Sequence, residues 1–410
     1  VQLDASKTIT VETDNEAIHQ MGGTAGNNGK DFALTGLVTK LGGSSKGTVE
    51  ISDQTIFTAG DAIKLKSNNK NILTNLVGEK VESESASVGV SVSQIAYDID
   101  SIVTVGAINN LNNTPFANNS LGTWTANVLD VNAINSGVIN SLAIAGVKSA
   151  DPVVDDPNKP GLIKALWNRL FGPKQVNEEE MIEMVEIPPL LPEGDDPGAG
   201  GDAEEGHGEE QNANVNEQQQ NNSKIKVSLA GSVAYNNIKE NTKAEVHTIT
   251  LNKPTSATKD NSHVNITADD SLFIGVYSGS AALTRSGTEA DSNKFSATLA
   301  GAVALNDVNK TTKALVDSAT ITTAGDFTNK AYNHGTQIAA GLGLGIEKGN
   351  RSSGLGFDFT ASGSQNEVIN TISAELNKAD ITSNASIGNI AYANDTQIAG
   401  GISFDYAKTS

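Results

Sequence analysis

The most regular polarity pattern in the chain lies between Phe295 and Phe404, and it has a period of two. From Gln337 to Ile346 the apolar positions Ile338, Ala340, Leu342, Leu344 and Ile346 alternate with the small residues Ala339, Gly341, Gly343 and Gly345. Phe295, Ala297, Leu299, Gly301, Val303 and Leu305 repeat the alternation. A period of two matches a pleated strand with two distinct faces and excludes helix. The larger set is expected to point inward and the Gly/Ala row to form a smooth outer wall. Clusters such as Asn306-Asp307, Ala324-Gly325-Asp326 and Asn333-His334-Gly335 are expected as turns.

The same landmarks return sixty residues on. Asn306 recurs as Asn366, Val308 as Val368, Thr311 as Thr371, Ala314 as Ala374, Ile321 as Ile381, Tyr332 as Tyr392, and Thr336-Gln-Ile-Ala339 as Thr396-Gln-Ile-Ala399. Such an echo is the signature of stacked architecture, because one unit cannot bury its own apolar edge. Units start near residues 32, 87, 225, 295 and 355. The expected fold is all-β: a parallel β-helix with three short strands per coil, about 20 to 25 residues per coil and two to three coils per unit. Stacking is expected to bring Leu342 onto Ile402 and Ile338 onto Ile398. Val1 to Asn28 reads as the tail of a unit that begins upstream, with Ile9 in the place of Ile321. Both ends fall inside the pattern, so the chain is expected to be an internal slice of a longer secreted protein.

Residues 1–149 and 224–410 carry this pattern, and 150–223 interrupt it. The interruption holds the one helical period in the chain, with Leu162, Leu166 and Leu170 on one line, Ile163, Trp167 and Phe171 beside it, and Gly172-Pro173 as a stop. The rest of it is acidic and rich in Pro, Gly and Gln, the composition of an extruded, weakly ordered excursion. Between Ala150 and Ser223 there are 17 Asp and Glu against 4 Lys and Arg, so most of the formal charge of −20 resides there. That charge argues against a nucleic-acid partner, which would need a basic groove. Aromatic residues make up only 4% of the 410, too few for a conventional globular core but enough for a narrow solenoid interior. Cysteine is absent, which is unremarkable in a reducing cytoplasm; for a secreted chain it means that no disulfide could lock the protein while it is threaded unfolded through a membrane pore.

The phrases Leu229-Ala-Gly-Ser-Val-Ala-Tyr-Asn-Asn-Ile238 and Leu299-Ala-Gly-Ala-Val-Ala-Leu-Asn-Asp-Val308, each followed by a Thr-Lys-Ala triplet, resemble the repeats of leukotoxin-like filamentous adhesins of Gram-negative anaerobes of the fusobacterial type. More broadly they are similar to filamentous haemagglutinins and autotransporter passengers. The resemblance implies a right-handed parallel β-helix, export through an outer-membrane barrel and a place on the bacterial surface. Adhesion is the implied role, with a cytolytic virulence segment or a purely structural filament as alternatives. The implied partner is a host-cell or bacterial surface receptor, protein or glycan.

No residue set announces catalysis, a cofactor or a metal site, and the chain is read as a non-enzyme. The five histidines, His19, His207, His247, His263 and His334, are scattered. Asp98 with Asp100, and Asp269 with Asp270, read as solvated turn acids, since no calcium-binding glycine repeat accompanies them. The candidate partner contacts are Leu162, Leu166, Trp167, Leu170 and Phe171, as large aromatic anchors among otherwise small residues. Membrane contact is expected only through 161–171, and lateral self-association through the smooth wall.

A long surface excursion adds only slowly growing closure entropy, so the repeats on either side should fold without it. Replacing 151–223 with a short Gly/Ser linker should leave the β-sheet circular dichroism and a cooperative melt intact; loss of the cooperative transition would place the excursion in the core.

Overall fold

The computed structural model describes residues 1–52, 54–106, 122–150, 225–285, 295–349 and 355–409. Among them the chain is strand and turn, and the strand-built compact unit comprises Val1–Pro152 and Lys224–Ser410. Its strands fall into six successive coils. In chain order these are β1 (Gln2–Ala5), β2 (Thr8–Gly29) and β3 (Phe32–Ile51); β4 (Ile56–Ala59), β5 (Ala62–Ser83) and β6 (Ala86–Val105); and β7 (Gly122–Thr125), β8 (Val128–Ala150) and β9 (Ile225–His247). The fourth holds β10 (Ile249–Asn252), β11 (His263–Arg285) and β12 (Phe295–Asp317). The fifth holds β13 (Thr320–Thr323), β14 (Asp326–Asn333), β15 (Thr336–Gly349) and β16 (Leu355–Asn377), and the sixth β17 (Asp380–Ser383), β18 (Ile387–Ala393) and β19 (Thr396–Thr409).

Every pairing is parallel and joins one coil to the next, which makes the unit a parallel β-helix. Short strands β1, β4, β7, β10, β13 and β17 form the first sheet. The second runs through β2, β5, β8 and β11 to β14 with β15 and then β18 with β19, and the third is β3, β6, β9, β12 and β16. The five unit starts expected from sequence coincide with the beginnings of the third-sheet strands.

The coil itself is larger than expected. Asn306 pairs directly with Asn366 across the β12–β16 ladder, so the sixty-residue echo is a single coil, not two or three. Strands of 20 to 23 residues replace the short ones, because alternation persists through positions expected to be turns. Asn306 and Asp307 sit in the middle of β12, with Asn306 buried. At the N-terminus, Leu3 rather than Ile9 opens the column of Phe57, Trp124, Leu251, Ile321 and Ile381. Gly146 and Val227 lie on opposite sheets of the same coil.

Three zones divide the interior. Beside the first sheet, Phe57, Ile63, Leu65, Val103, Trp124, Leu129, Ile266 and Phe327 form a dry apolar core. Phe57 and Trp124 stack at 4.7 Å between centroids, and the buried Trp124 Nε1 donates to Thr55 Oγ1 at 3.1 Å. A second apolar cluster, Leu73, Ile95, Tyr97, Ile139, Ile238, Leu272, Ile274 and Val308, lies farther along the long strands. Between them runs a polar column on the second sheet, Asn15, Asn69, Asn135, Asp270 and Asn333.

Past the second cluster the packing inverts. Ala339, Gly341, Gly343 and Gly345 point into the coil, and Ile338 and Leu342 point out. The expected stacking of Leu342 on Ile402 and Ile338 on Ile398 holds, but on the opposite face. The cause is the small gap between the second and third sheets. A Cβ on Gly341 would lie 2.7 Å from the Gly363 carbonyl oxygen, and one on Gly343 2.8 Å from that of Ala361. Gly, Ala, Ser and Thr predominate there, and hydroxyls bridge the gap: Ser93 to Ser141 and Ser232 to Ser278, both 2.7 Å between oxygens.

The corner from the third sheet to the first is made with left-handed backbone at the same place in successive coils, at Gly106 (φ 67°), Thr248 (45°), Ser318 (53°) and Lys378 (48°). At Gly106 a Cβ would overlap the His247 carbonyl oxygen, so this corner accepts only glycine.

These contacts predict opposite outcomes for neighbouring residues. Gly343→Val should cost several kcal/mol by overpacking the closed gap, whereas Leu342→Ser should cost about 1 kcal/mol or less, the value of a partly exposed side chain. Thermal melts of the two variants compare them directly, and equal losses would contradict the inverted packing.

Candidate contact surface and buried polar seam

The inversion drives large apolar side chains onto the outside. Along the third sheet the outward column Leu34, Val88, Leu229, Leu299 and Phe359 lies beside the column Val38, Val92, Val233 and Val303. Inner coils expose these columns substantially, Leu229 at 37% and Val303 at 38%, and Val90 between them is 40% accessible. On the second sheet, Leu76 and Val138 are each 38% accessible and Ile398 and Ile402 are exposed, but the outward Leu142 and Ile144 between them are buried, so this face is interrupted. At the usual strand spacing the third-sheet patch covers about 20 Å along the stack and about 13 Å along the strands, larger than the scattered apolar residues of an ordinary surface. The outer positions beside the first sheet are polar instead, with exposed pairs Lys66–Glu12 at 2.9 Å and Lys70–Glu16 at 2.7 Å. Pairs so exposed contribute little stability.

Leu162, Leu166, Trp167, Leu170 and Phe171 lie outside the described residues, as does the helix expected over them and His207. Of the remaining histidines, His247 is 3.5 Å from Asp317 and 3.8 Å from Glu245, whose carboxyl its hydrogen bond holds below the usual range. His263 approaches Asp130 at 3.4 Å, and His334 approaches Asp269 at 3.3 Å while stacking on Tyr332. Among the described residues, no group of three or more His, Asp or Glu could hold a metal ion.

The carboxylates expected in turns are inside strands. Asp98 and Asp100 face outward around the inward Ile99, and Asp100 accepts from Asn241 at 2.8 Å. Asp269 and Asp270 project to opposite faces of β11, so they cannot act as a pair: Asp269 is half-buried, and Asp270 is fully buried in the polar seam.

Asparagines fill much of that seam and its neighbouring columns. Asn236 Nδ2 donates to Asn306 Oδ1 at 3.0 Å and Asn306 to Asn366 at 2.9 Å, and Asn329 donates to Asn389 at 2.9 Å. An amide both donates and accepts, so identical residues can stack along the coil axis. In the fourth coil the seam is charged. Lys310 Nζ lies 3.2 Å from Glu240 Oε2 and 3.4 Å from Asp270 Oδ1, and all three side chains are fully buried. Burial, reinforced by the charge of Asp270, holds the Glu240 carboxyl well above the usual range. Burial opposes the charge on Lys310, but Asp270, Glu240 and Asp395 outweigh it and hold the ammonium above the ordinary lysine range.

Two further acids sit in the closed gap. Glu79 is buried opposite Gly89, where a Cβ would overlap its Oε1. Burial raises it to about 7, offset only in part by the Val90 backbone and the Ser91 hydroxyl. Asp358 is likewise pushed to about 7, by burial and by the Glu347 carboxyl beside it. Period-two reading missed these acids and Lys310 because it assigned the wrong face to the small residues; the available signal was a charge recurring in phase with an Ala, Ser or Asn column.

No family model matches the chain, and comparison with curated proteins and with solved structures finds no match either.

Glu79 makes stability pH-dependent. Its folded pKa of about 7 exceeds its usual value of 4.5, so the folded state holds the proton more tightly and stability falls as pH rises between those values. Glu79→Gln, which keeps the neutral shape, should therefore gain stability over the parent from pH 5 to pH 8, by about 1–3 kcal/mol at the upper end. Urea melts of both proteins across that range measure the difference; a constant difference would show that Glu79 does not titrate there.

Proposed function

We propose that this chain is a segment of a secreted β-helical adhesin of a bacterial surface, a binding and spacing device without catalytic turnover. The apolar outer face of the third sheet carries the reading. A stacked scaffold that turns Leu, Val and Phe columns outward over several coils offers the flat, dehydratable contact area that partner surfaces use. The resemblance of the Leu229–Ile238 and Leu299–Val308 phrases to leukotoxin-like adhesin repeats supports the same reading, as does the lack of cysteine, which suits export of an unfolded chain. The partner is a protein or glycan on host or bacterial cells, and the apolar columns favour a protein face.

Binding of fluorescently labelled chain to epithelial and bacterial cells tests it. The triple substitution Leu229→Ser, Leu299→Ser and Val303→Ser should cut cell binding at least about tenfold, the equivalent of 1.4 kcal/mol, with a little-changed melting temperature. Full binding by the variant, or none by the parent, would overturn the reading. Release of dye from lipid vesicles by the parent would instead favour a cytolytic segment.

A further inference from the structure

Lys310, Asp270 and Glu240 form a closed group that no contact surface uses. Lys310 and Glu240 are neighbours along the stack in the third sheet, and Asp270 faces them from the second sheet. Ile238 and Val308 precede Glu240 and Lys310 by two positions on the same inward face, and Leu272 follows Asp270 by two, so the site is walled by the second apolar cluster. Space for the amine is specific: a Cβ on Gly335 would lie 2.7 Å from Lys310 Nζ. Asp270 Oδ1 receives both Lys310 Nζ and the Leu272 N–H, the latter at 3.2 Å. Asp270 Oδ2 has no hydrogen-bond partner, and neither oxygen of Glu240 accepts a well-formed hydrogen bond.

We propose that Lys310 and Asp270 join in an intramolecular amide bond, formed once on folding with Glu240 as the proton carrier. At rest the acids around Lys310 hold its ammonium in place opposite the Asp270 carboxylate, and proton transfer between the two removes both charges from a buried site, giving the neutral form that reacts. Glu240, held protonated by burial, gives its proton to Asp270 Oδ2 and recovers one from the Lys310 ammonium, leaving a neutral amine beside a neutral acid. The Nζ lone pair then attacks Asp270 Cγ, and the carbonyl π pair moves onto Oδ1, where the Leu272 N–H stabilises the developing charge. Glu240 protonates the Oδ2 hydroxyl, which leaves as water while the Oδ1 pair restores the carbonyl, and then takes the surplus proton from Nζ. An ammonium and a carboxylate become an amide and one water; Glu240 ends as it began, and no oxidant, metal or cofactor is required. Proximity alone supplies much of the rate, since nucleophile and electrophile are held together on opposed sheets.

The product would tie the second sheet to the third inside the fourth coil, a covalent staple in a chain that contains no cysteine. Intact mass of the purified full chain, measured after denaturation, tests the proposal. The expected result is a single species lighter than the sequence mass by one water, with trypsin releasing a branched peptide that joins 260–285 to 295–313. A parent at full sequence mass, with 260–285 recovered as a linear peptide, would overturn it. Glu240→Gln should return to its full sequence mass while keeping the parent's circular dichroism spectrum; undiminished loss of water in that variant would overturn the assignment to Glu240. The parent's mass decides the question even if the variant fails to fold.

Discussion

Parallel pairing of each coil with the next fixes every side chain above its counterpart at a spacing of about 4.8 Å. A residue in this solenoid therefore has to be compatible with its own column before anything else. Asparagine passes because its amide donates on one side and accepts on the other, as in Asn236, Asn306 and Asn366. Aliphatic columns pass by packing. A column of like charges would fail, and at Glu240 beneath Lys310 an acid neighbours a base along the stack.

A second constraint is the distance between the two long sheets, which varies along the strands. Beside the short first sheet the coil is wide and holds Trp124, Phe57 and Phe327. Toward the other edge the sheets close until backbone faces backbone, and hydroxyl bridges such as Ser232 to Ser278 replace apolar filling. The same strand thus has an orthodox interior at one end and an inverted one at the other. The apolar outer faces follow from this closure, because the alternation that places glycine inside must place its larger neighbours outside.

Buried acids occur in both regimes for different reasons. Glu79 occupies space that Gly89 leaves open, and burial raises its pKa to about 7. Glu240 and Asp270 surround a lysine in a dry wall of Ile238, Leu272 and Val308, a setting that favours loss of charge by chemistry as much as by titration. In the proposed reading the outer faces meet partners while the seam holds the coil together, so binding and cohesion fall on opposite sides of the same strands.

Repetition was legible in the amino-acid order because column partners must match: the sixty-residue spacing, the strand starts and the Leu342-on-Ile402 register all follow from it. The β-helix class was legible for the same reason. Coil size was not, since alternation continues unbroken through Asn306-Asp307 and nothing local says that a polar pair in a strand stacks rather than turns. Nor was the inward face of the stretch from Ala339 to Gly345, where period two defines two faces without ranking them; size suggested Leu342 inside, and only the approach of Gly341 to the Gly363 carbonyl excludes it. Likewise Asp270, Glu240 and Lys310 stand far apart along the chain, and their meeting depends on which sheets oppose each other, a distance that tertiary packing alone sets.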